Sequence, residues 1–522
     1  MNTAEFLTIA SMMVPDRQAL SDPDGSCTYM ELASRVNKLT SAFRTLGVGK
    51  GQCVGVMAVN STAFVEIYYA TSAVGGTFVP LNYRAKTEEL SYMINAAGVN
   101  LLFIAQRYYP LLQEIRMLVP RLQHVIPLDF EIDGQPTFRQ LRDRGADEPF
   151  VTDSDDSDPA LVIYTSGTTA LPKGVVLTHK ALSSYVLNTQ NPADPSAEQE
   201  TNVVSVPFFH IAGATTMIGS LFGGRKLAIL PQFDPSAWLA TVERERATHA
   251  FVVPTMLKRI MEADNFSSYD LSSLKLVTYG AAPMPFEVVR RACDVFTCGL
   301  MNAYGQTEST STMTFLGPED HRLTGTQEEI GRKLKRLRSV GKPMPDIDVA
   351  ILHQDGTELA RGKEGEICIR GDRVMREYQG RAEETAAAIM GGWLHTGDVG
   401  YLDEDSYLFI TGRIKDLIIR GGENISPGEI ENVLEDHPAV AEAAVIGVPD
   451  AEWSEVVRAV LVGVKGESVT EMQLTEYVKS RLASFKAPAS YVWVDELPRN
   501  HMGKVLKNEL RQRYGEPATK SV

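Results

Sequence analysis

The stretch Tyr164–Gly174 reads YTSGTTALPKG and directly follows the apolar run Ala160–Ile163. Ser166, Gly167, Thr168 and Thr169 are four successive small or hydroxyl residues, so backbone N–H groups and hydroxyls can close around phosphate oxygens. Lys173 adds one positive charge. A Walker loop is excluded, because this lysine precedes Gly174 rather than a serine or threonine. Serine, glycine and threonine are also ordinary turn material, so this segment carries weight only together with others.

The others occur in order. Tyr304-Gly305-Gln306-Thr307-Glu308 offers an aromatic face for a base, a hydroxyl, and a carboxylate able to hold Mg²⁺. Trp393–Gly400 (WLHTGDVG) is expected to place Asp398 in a turn, where a carboxylate can accept both hydroxyls of a ribose. Gly412-Arg413-Ile414-Lys415-Asp416 and Arg420-Gly421-Gly422-Glu423 follow. Pro498–Lys504 (PRNHMGK) then forms a polar loop that ends on a lysine. Lysines are usually solvated surface charges, and a histidine among apolar residues, such as His210, is usually structural.

These segments need a scaffold that the hydrophobic pattern supplies. Cys53–Val59 reads as a buried strand, Ser61–Ala73 as a helix and Thr77–Leu81 as the next strand. Leu90–Ala97 and Asn100–Ala105 repeat the step, and strands return at Ala160–Tyr164, His249–Val253 and Leu274–Tyr279, each expected to lead into a helix. Such alternation predicts an α/β fold whose sheets are mostly parallel and covered by helices. After about Gly412 the texture changes. Glu429–Glu435 and Thr470–Leu482 read as helices, Val440–Val448 and Val456–Val464 as strands, a small α+β domain. The expected division is therefore residues 1–412, a hinge at 413–416, and a small mobile domain over 417–522.

Composition limits what such a scaffold can serve. The 522 residues exceed one ordinary core. A net charge of −15 repels nucleic acid and anionic membranes, so a phosphate ligand must be held locally. Five cysteines without CxxC spacing argue against disulfides or a zinc site and fit a reducing, cytoplasmic setting; Cys293 and Cys298 read as packing residues. No signal peptide, transmembrane run or Ser-Lys-Leu-type terminus is visible. The basic run Arg332–Arg338 reads as a solvated helical face rather than a phosphate site. A homo-oligomer is left open.

Taken together, the ordered motifs resemble those of the adenylate-forming superfamily of acyl-CoA synthetases, luciferases and peptide-synthetase adenylation domains, over essentially the whole chain. The resemblance implies that Thr165, Ser166, Gly167, Thr168, Thr169 and Lys173 bind ATP phosphates. Gly280, Ala281, Ala282, Asn302, Ala303 and Tyr304 would flank adenine, with Tyr304 stacked on it. Thr307 would touch phosphate, Glu308 would hold Mg²⁺, and Asp398 and Arg413 would hold the ribose. Lys504 is implied as the catalytic lysine, Lys415 as the hinge, and Gly421, Gly422 and Glu423 as the lining for coenzyme A. His210 matches a gate beside an acyl pocket shared with Ala212, Gly213 and Gly280. Glu308 and His210 join Lys504 in the implied catalytic set.

The implied reaction joins a carboxylic acid to ATP, releases pyrophosphate, and passes the acyl group to CoA. Ile211–Ile218 (IAGATTMI) holds no carboxylate to pair with an amino acid's ammonium, which favours a fatty, alicyclic or aromatic acid. Only about 18 residues follow Lys504, leaving no room for a fused carrier, although a separate acyl-carrier protein is a second acceptor. A luciferase-like oxidative member and a weakly catalytic nucleotide-binding homologue are the remaining alternatives. One residue departs from the family pattern: Ala170 stands where its phosphate loop usually has glycine. If that position needs a left-handed backbone, alanine costs roughly 1–2 kcal/mol.

Overall fold

The computed structural model describes residues 1–165, 171–500 and 503–516. Two large sheets dominate the first three-quarters of the chain. One has seven strands, in the order Glu377–Tyr378, Lys173–Thr178, Pro159–Thr165, Thr77–Pro80, Cys53–Met57, Val99–Ile104 and His124–Pro127. Its pairings are parallel from Pro159–Thr165 to His124–Pro127. The other has nine strands, with Thr201–Val204, Lys226–Ile229, His249–Val252, Leu276–Gly280 and Gly299–Gln306 paired in parallel at its centre.

The helices between the sheets are apolar almost all round, because both flanks face protein. In Thr62–Ala73 every residue from Phe64 onward is buried, and in Ile211–Phe222 all but Thr216 are. Ser61 caps the first of these, its side chain accepting from the Phe64 N–H and ending the preceding loop.

Two features differ from the pattern expected. Pro159–Thr165 is followed not by a helix but by an antiparallel partner, Lys173–Thr178, in a hairpin that pairs Thr165 with Lys173; the helix His179–Thr189 comes only afterwards. A third sheet of five strands, including Asp348–Leu352, Gly365–Arg370, Trp393–Leu402 and Leu408–Arg413, has only antiparallel pairings. Its apolar strands, such as Asp348–Leu352 and Gly365–Arg370, cannot be told by periodicity from parallel ones.

The remaining sheet belongs to a small C-terminal domain. It contains Ile418–Arg420, Glu423–Ile425, Val440–Asp450, Ser454–Gly463 and Ser490–Trp493, with helices Pro427–Glu435 and Glu471–Lys479. A core separate from those of the large sheets, built on Ile418, Ile430, Leu434, Val445, Val457 and Leu474, holds it together. The turn Ile414–Asp416 joins it to the third sheet.

Candidate active site

Strand ends from all three sheets of the large domain converge on one region. Leu276–Gly280 and Gly299–Gln306 lie side by side, with Gly280 opposite Ala303. Contact is so close there that a Cβ on Gly280 would lie 2.1 Å from the Ala303 carbonyl oxygen, so only glycine fits. Ala281 then takes a left-handed backbone (φ 66°), as do Thr310 (φ 50°) and Ser311 (φ 76°) just past Glu308. Strained non-glycine backbone of this kind costs about 1 kcal/mol or more each and concentrates at functional sites. Ala282 follows this turn, and Asn302 and Ala303 are buried in the neighbouring strand.

Asp398 lies inside the strand Trp393–Leu402, not in a turn as the sequence suggested. The glycine at 397 adopts φ 71° within that strand, which gives the segment its turn-like composition. Asp398 is buried and both carboxylate oxygens are engaged: Oδ2 accepts from the Tyr304 hydroxyl at 2.7 Å, and Oδ1 pairs with Arg413 Nε at 2.7 Å. Tyr304 thus reaches the carboxylate through its hydroxyl; burial and the Asp398 charge hold that hydroxyl's pKa well above its ordinary value. Asp398 and Arg413 are register partners on antiparallel strands, which fixes the pair from the backbone upward.

His395, on the same strand, belongs to a cluster that the cysteine count did not anticipate. His395 Nδ1 lies 2.7 Å from Glu366 Oε2 and 3.5 Å from the buried Cys368 Sγ. The second Glu366 oxygen accepts the Gly397 N–H at 3.1 Å, so the cluster buttresses the backbone beside Asp398. Cys293 and Cys298 do pack against the core of the nine-stranded sheet, and burial pushes both thiols up to about 11.

Thr307 and Glu308 form a single 3-10 turn, Thr307–Ser309, at the end of Gly299–Gln306. Glu308 is half-buried. Its Oε1 accepts from the Tyr378 hydroxyl at 2.8 Å, and among the described residues Oε2 has no hydrogen-bond partner. A hard carboxylate oxygen of this kind fits Mg²⁺. Ser166, Gly167, Thr168, Thr169 and Ala170 lie outside the described residues. On either side of them Thr165 pairs with Lys173, whose ammonium makes an ion pair with Glu384 and sits 4.8 Å from the Tyr378 ring centre.

Lys504 arrives from the small domain. It is half-buried, on a turn closed by Asn500, which accepts the Lys504 N–H at 2.9 Å. Burial of the ammonium and the nearby Arg413 charge pull it down to about 8, against the opposing pull of Asp398. The lysine therefore lies within electrostatic reach of the Asp398–Arg413 pair. Lys415, in the connecting turn, is also pulled down by burial and by Arg413. The Lys504 turn is pinned to the large domain: Gly503 abuts Thr255, and Glu442 accepts from both Arg499 (2.6 Å) and Lys258 (3.2 Å). These anchors, 57 and 184 residues from Glu442, have no sequence signature.

His210 stands immediately before Ile211–Phe222, its ring centre 4.5 Å from that of Phe209. Ala212 and Gly213 are buried on the first turn of this helix, and a Cβ on Gly213 would meet the Pro207 carbonyl at 2.3 Å. Beside Phe209, a cleft of about 250 Å³ is lined in part by Tyr83, Arg84, Thr255 and Arg259. Gly421 and Gly422 form the tip of the hairpin between Ile418–Arg420 and Glu423–Ile425, both with positive φ and both exposed; Gly421 donates to the Trp453 carbonyl at 2.7 Å. Among the described residues no hydrogen bond or ion pair joins Gly421, Gly422 or Glu423 to Lys504. Of the basic run Arg332–Arg338, the residues to Arg336 lie on the helix Gln327–Arg336; Arg336 pairs with Asp320 and Asp405, and Arg338, beyond the helix, with Asp436.

A buried carboxylate paired with arginine, a half-buried carboxylate held by a tyrosine, and a half-buried lysine from the small domain are thus brought toward one region. The chain belongs to the AMP-binding enzyme family, whose profile matches residues 9–379, with the AMP-binding enzyme C-terminal domain matching 429–504. By class it is an AMP-forming acid–thiol ligase. It is 35% identical to a feruloyl-CoA synthase of Amycolatopsis over 96% of this chain and 97% of that one. It is 32% identical to the fatty acid–[acyl-carrier-protein] ligase ScoC of Streptomyces coeruleorubidus, over 94% and 93%. The solved structure of a Mycobacterium tuberculosis fatty acyl CoA synthetase superposes with a TM-score of 0.79 at 31% identity, covering 99% of both chains. Among the described residues no helix is long and apolar enough to cross a membrane.

Proposed function

We propose that this enzyme activates an apolar carboxylic acid, fatty, alicyclic or aromatic, as its acyl-adenylate and transfers the acyl group to coenzyme A. The observation that supports the first step is that Lys504 is half-buried within electrostatic reach of Asp398 and Arg413, which pair with each other. A substrate carboxylate oxygen attacks the α-phosphorus of ATP, and the bond to pyrophosphate breaks. Both reactants are anionic, so the barrier is largely electrostatic. Lys504 places a positive charge where carboxylate and phosphate meet, an arrangement worth several kcal/mol when preorganised away from water. Asp398 and Arg413 hold the ribose, the Asp398 oxygens exchanging their present partners for its hydroxyls. Tyr304 and the Gly280-Ala281-Ala282 turn border the base. Thr165, Thr307 and Lys173 face the phosphates. Mg²⁺, when bound at Glu308, supplies neutralisation of the triphosphate charge.

In the second step the thiol loses its proton to solvent, its sulfur attacks the acyl carbon, and the acyl C–O bond to AMP breaks, releasing AMP with the electron pair. Lys504 has no part in this step, and the small domain turns about Lys415 to withdraw it. The Gly421-Gly422 tip is then available to a slender pantetheine chain, because two glycines let the backbone approach a ligand closely. The cleft bearing Arg84 and Arg259, which shares Thr255 with the Lys504 turn, offers positive charge to the phosphates of CoA. An apolar acid is favoured because Ile211–Phe222 carries no charged residue.

A panel of fatty, alicyclic, aromatic and amino acids, scored for pyrophosphate release with and without CoA, tests this reading. Release with an apolar acid and CoA-dependent thioester formation are expected. Preference for an amino acid would overturn the acid assignment, and thioester formed only on a carrier protein would overturn CoA.

A further inference from the structure

Two of the residues proposed to face the triphosphate, Lys173 and Glu308, are far apart in sequence: Lys173 opens a strand of the seven-stranded sheet, and Glu308 sits in the 3-10 turn that follows a strand of the nine-stranded one. The segment from Met375 to Thr385 ties them together. Met375 N–H donates to the Glu308 carbonyl at 2.8 Å. The next residues pair with the phosphate hairpin's exit strand: Arg376 N–H donates to Val176 O (2.9 Å) and Gln379 N–H to Gly174 O (2.7 Å), with Tyr378 opposite Val175. Arg381 then reaches back to the Pro172 carbonyl at 3.4 Å and pairs with Glu384 at 2.8 Å, while Glu384 holds Lys173.

Tyr378 sits at the centre of this strap and touches both functional groups. Its hydroxyl donates to Glu308 Oε1 at 2.8 Å, and its ring lies 4.8 Å from the Lys173 ammonium. A phenol has one O–H to give, and here it is given to Glu308 Oε1. A neutral donor on one carboxylate oxygen fixes the carboxylate's rotation and leaves the other oxygen directed for a cation. A ring beside an ammonium restrains the lysine without neutralising it.

Resting on the proposed roles of Glu308 and Lys173, we infer that Tyr378 is a positioning residue that sets the cation-binding carboxylate and the phosphate-hairpin lysine as one unit. The hydroxyl serves Glu308 and the ring serves Lys173, so the two duties are separable by substitution. Tyr378→Phe keeps the ring and removes the donor. Tyr378→Leu removes both.

The test measures binding of ATP to the whole enzyme without carboxylic acid, by calorimetry with Mg²⁺ and with a chelator, together with the Mn²⁺ electron-paramagnetic-resonance signal of the bound Mn²⁺–ATP complex. Tyr378→Phe is expected to weaken Mg²⁺-dependent ATP binding about tenfold, the cost of one hydrogen bond to a charged group, and to broaden the Mn²⁺ signal. Binding in chelator is expected to stay as in the wild type for Tyr378→Phe and to weaken for Tyr378→Leu. Glu308→Gln is measured alongside, and adding Tyr378→Phe to it is expected to cost nothing further in Mg²⁺-dependent binding. If Glu308→Gln lowers Mg²⁺-dependent binding but Tyr378→Phe does not, or if Tyr378→Phe lowers both conditions equally, the inference about Tyr378 fails and the reading of Glu308 stands. If Glu308→Gln itself keeps wild-type Mg²⁺ dependence, that reading fails and takes the inference with it.

Discussion

Lys504 shows why the chemistry at this site is set by surroundings more than by residue type. An ordinary lysine titrates near 10.4, but this one is drawn down to about 8 by burial and Arg413. Adenylation uses the protonated form. In the free enzyme, kcat/KM for pyrophosphate release is therefore expected to be level below about pH 7 and to fall as pH rises through about 8. A pH–rate profile across this range checks the assignment, and a flat profile to pH 10 would contradict it. Lys504→Ala is expected to lower acid-dependent pyrophosphate release by at least 100-fold, from the loss of preorganised charge. Thioester formation from supplied acyl-AMP is expected to change little.

Elements differ in how far they can be read from sequence. Helix and strand positions around the first sheet follow from apolar runs and turn residues: Ser61–Ala73 becomes Thr62–Ala73 with Ser61 as cap, and Cys53–Val59 becomes Cys53–Met57. The hairpin after Pro159–Thr165 escaped, because KGVVLT can be read as a strand or as the start of a helix until its partner is known. Every motif that reached the site did so through types with few alternative uses, such as Asp398 between glycines or Glu308 after Gln306-Thr307. Tyr378, Glu384, Glu366 and Glu442 did not, because each acts through a partner dozens to hundreds of residues away. The Glu442 contact offers a test at this scale. Glu442→Gln weakens the bridge to Lys258 and Arg499, a half-exposed network worth roughly 1 kcal/mol. Pyrophosphate release is expected to fall about fivefold, and more steeply at low salt than at high, while transfer from supplied acyl-AMP is unchanged. Equal loss in both half-reactions would show that the bridge serves folding instead.

At the scale of the molecule, the small domain has its own core and joins the rest through one 3-10 turn. Under the proposed reaction that turn must take more than one backbone conformation. Lys415→Pro fixes φ near −65°, within the range of a 3-10 turn, and disfavours its rearrangement. Normal pyrophosphate release with thioester formation lowered at least 10-fold is the expected result, read by assaying the two half-reactions separately. Loss of both would place the hinge elsewhere.

Arg413 is the last residue of the strand Leu408–Arg413, and Ile414 is the first of the connecting turn. Under the proposed roles, nucleotide held by Asp398 and Arg413 rides on the part that stays still, while Lys504 rides on the part that swings. Withdrawing the lysine therefore need not loosen the nucleotide. In kinetic language, pyrophosphate leaves before the thiol binds and AMP remains until the thioester has formed. Initial-rate patterns should then be ping-pong between ATP and the thiol, with AMP competing against ATP alone.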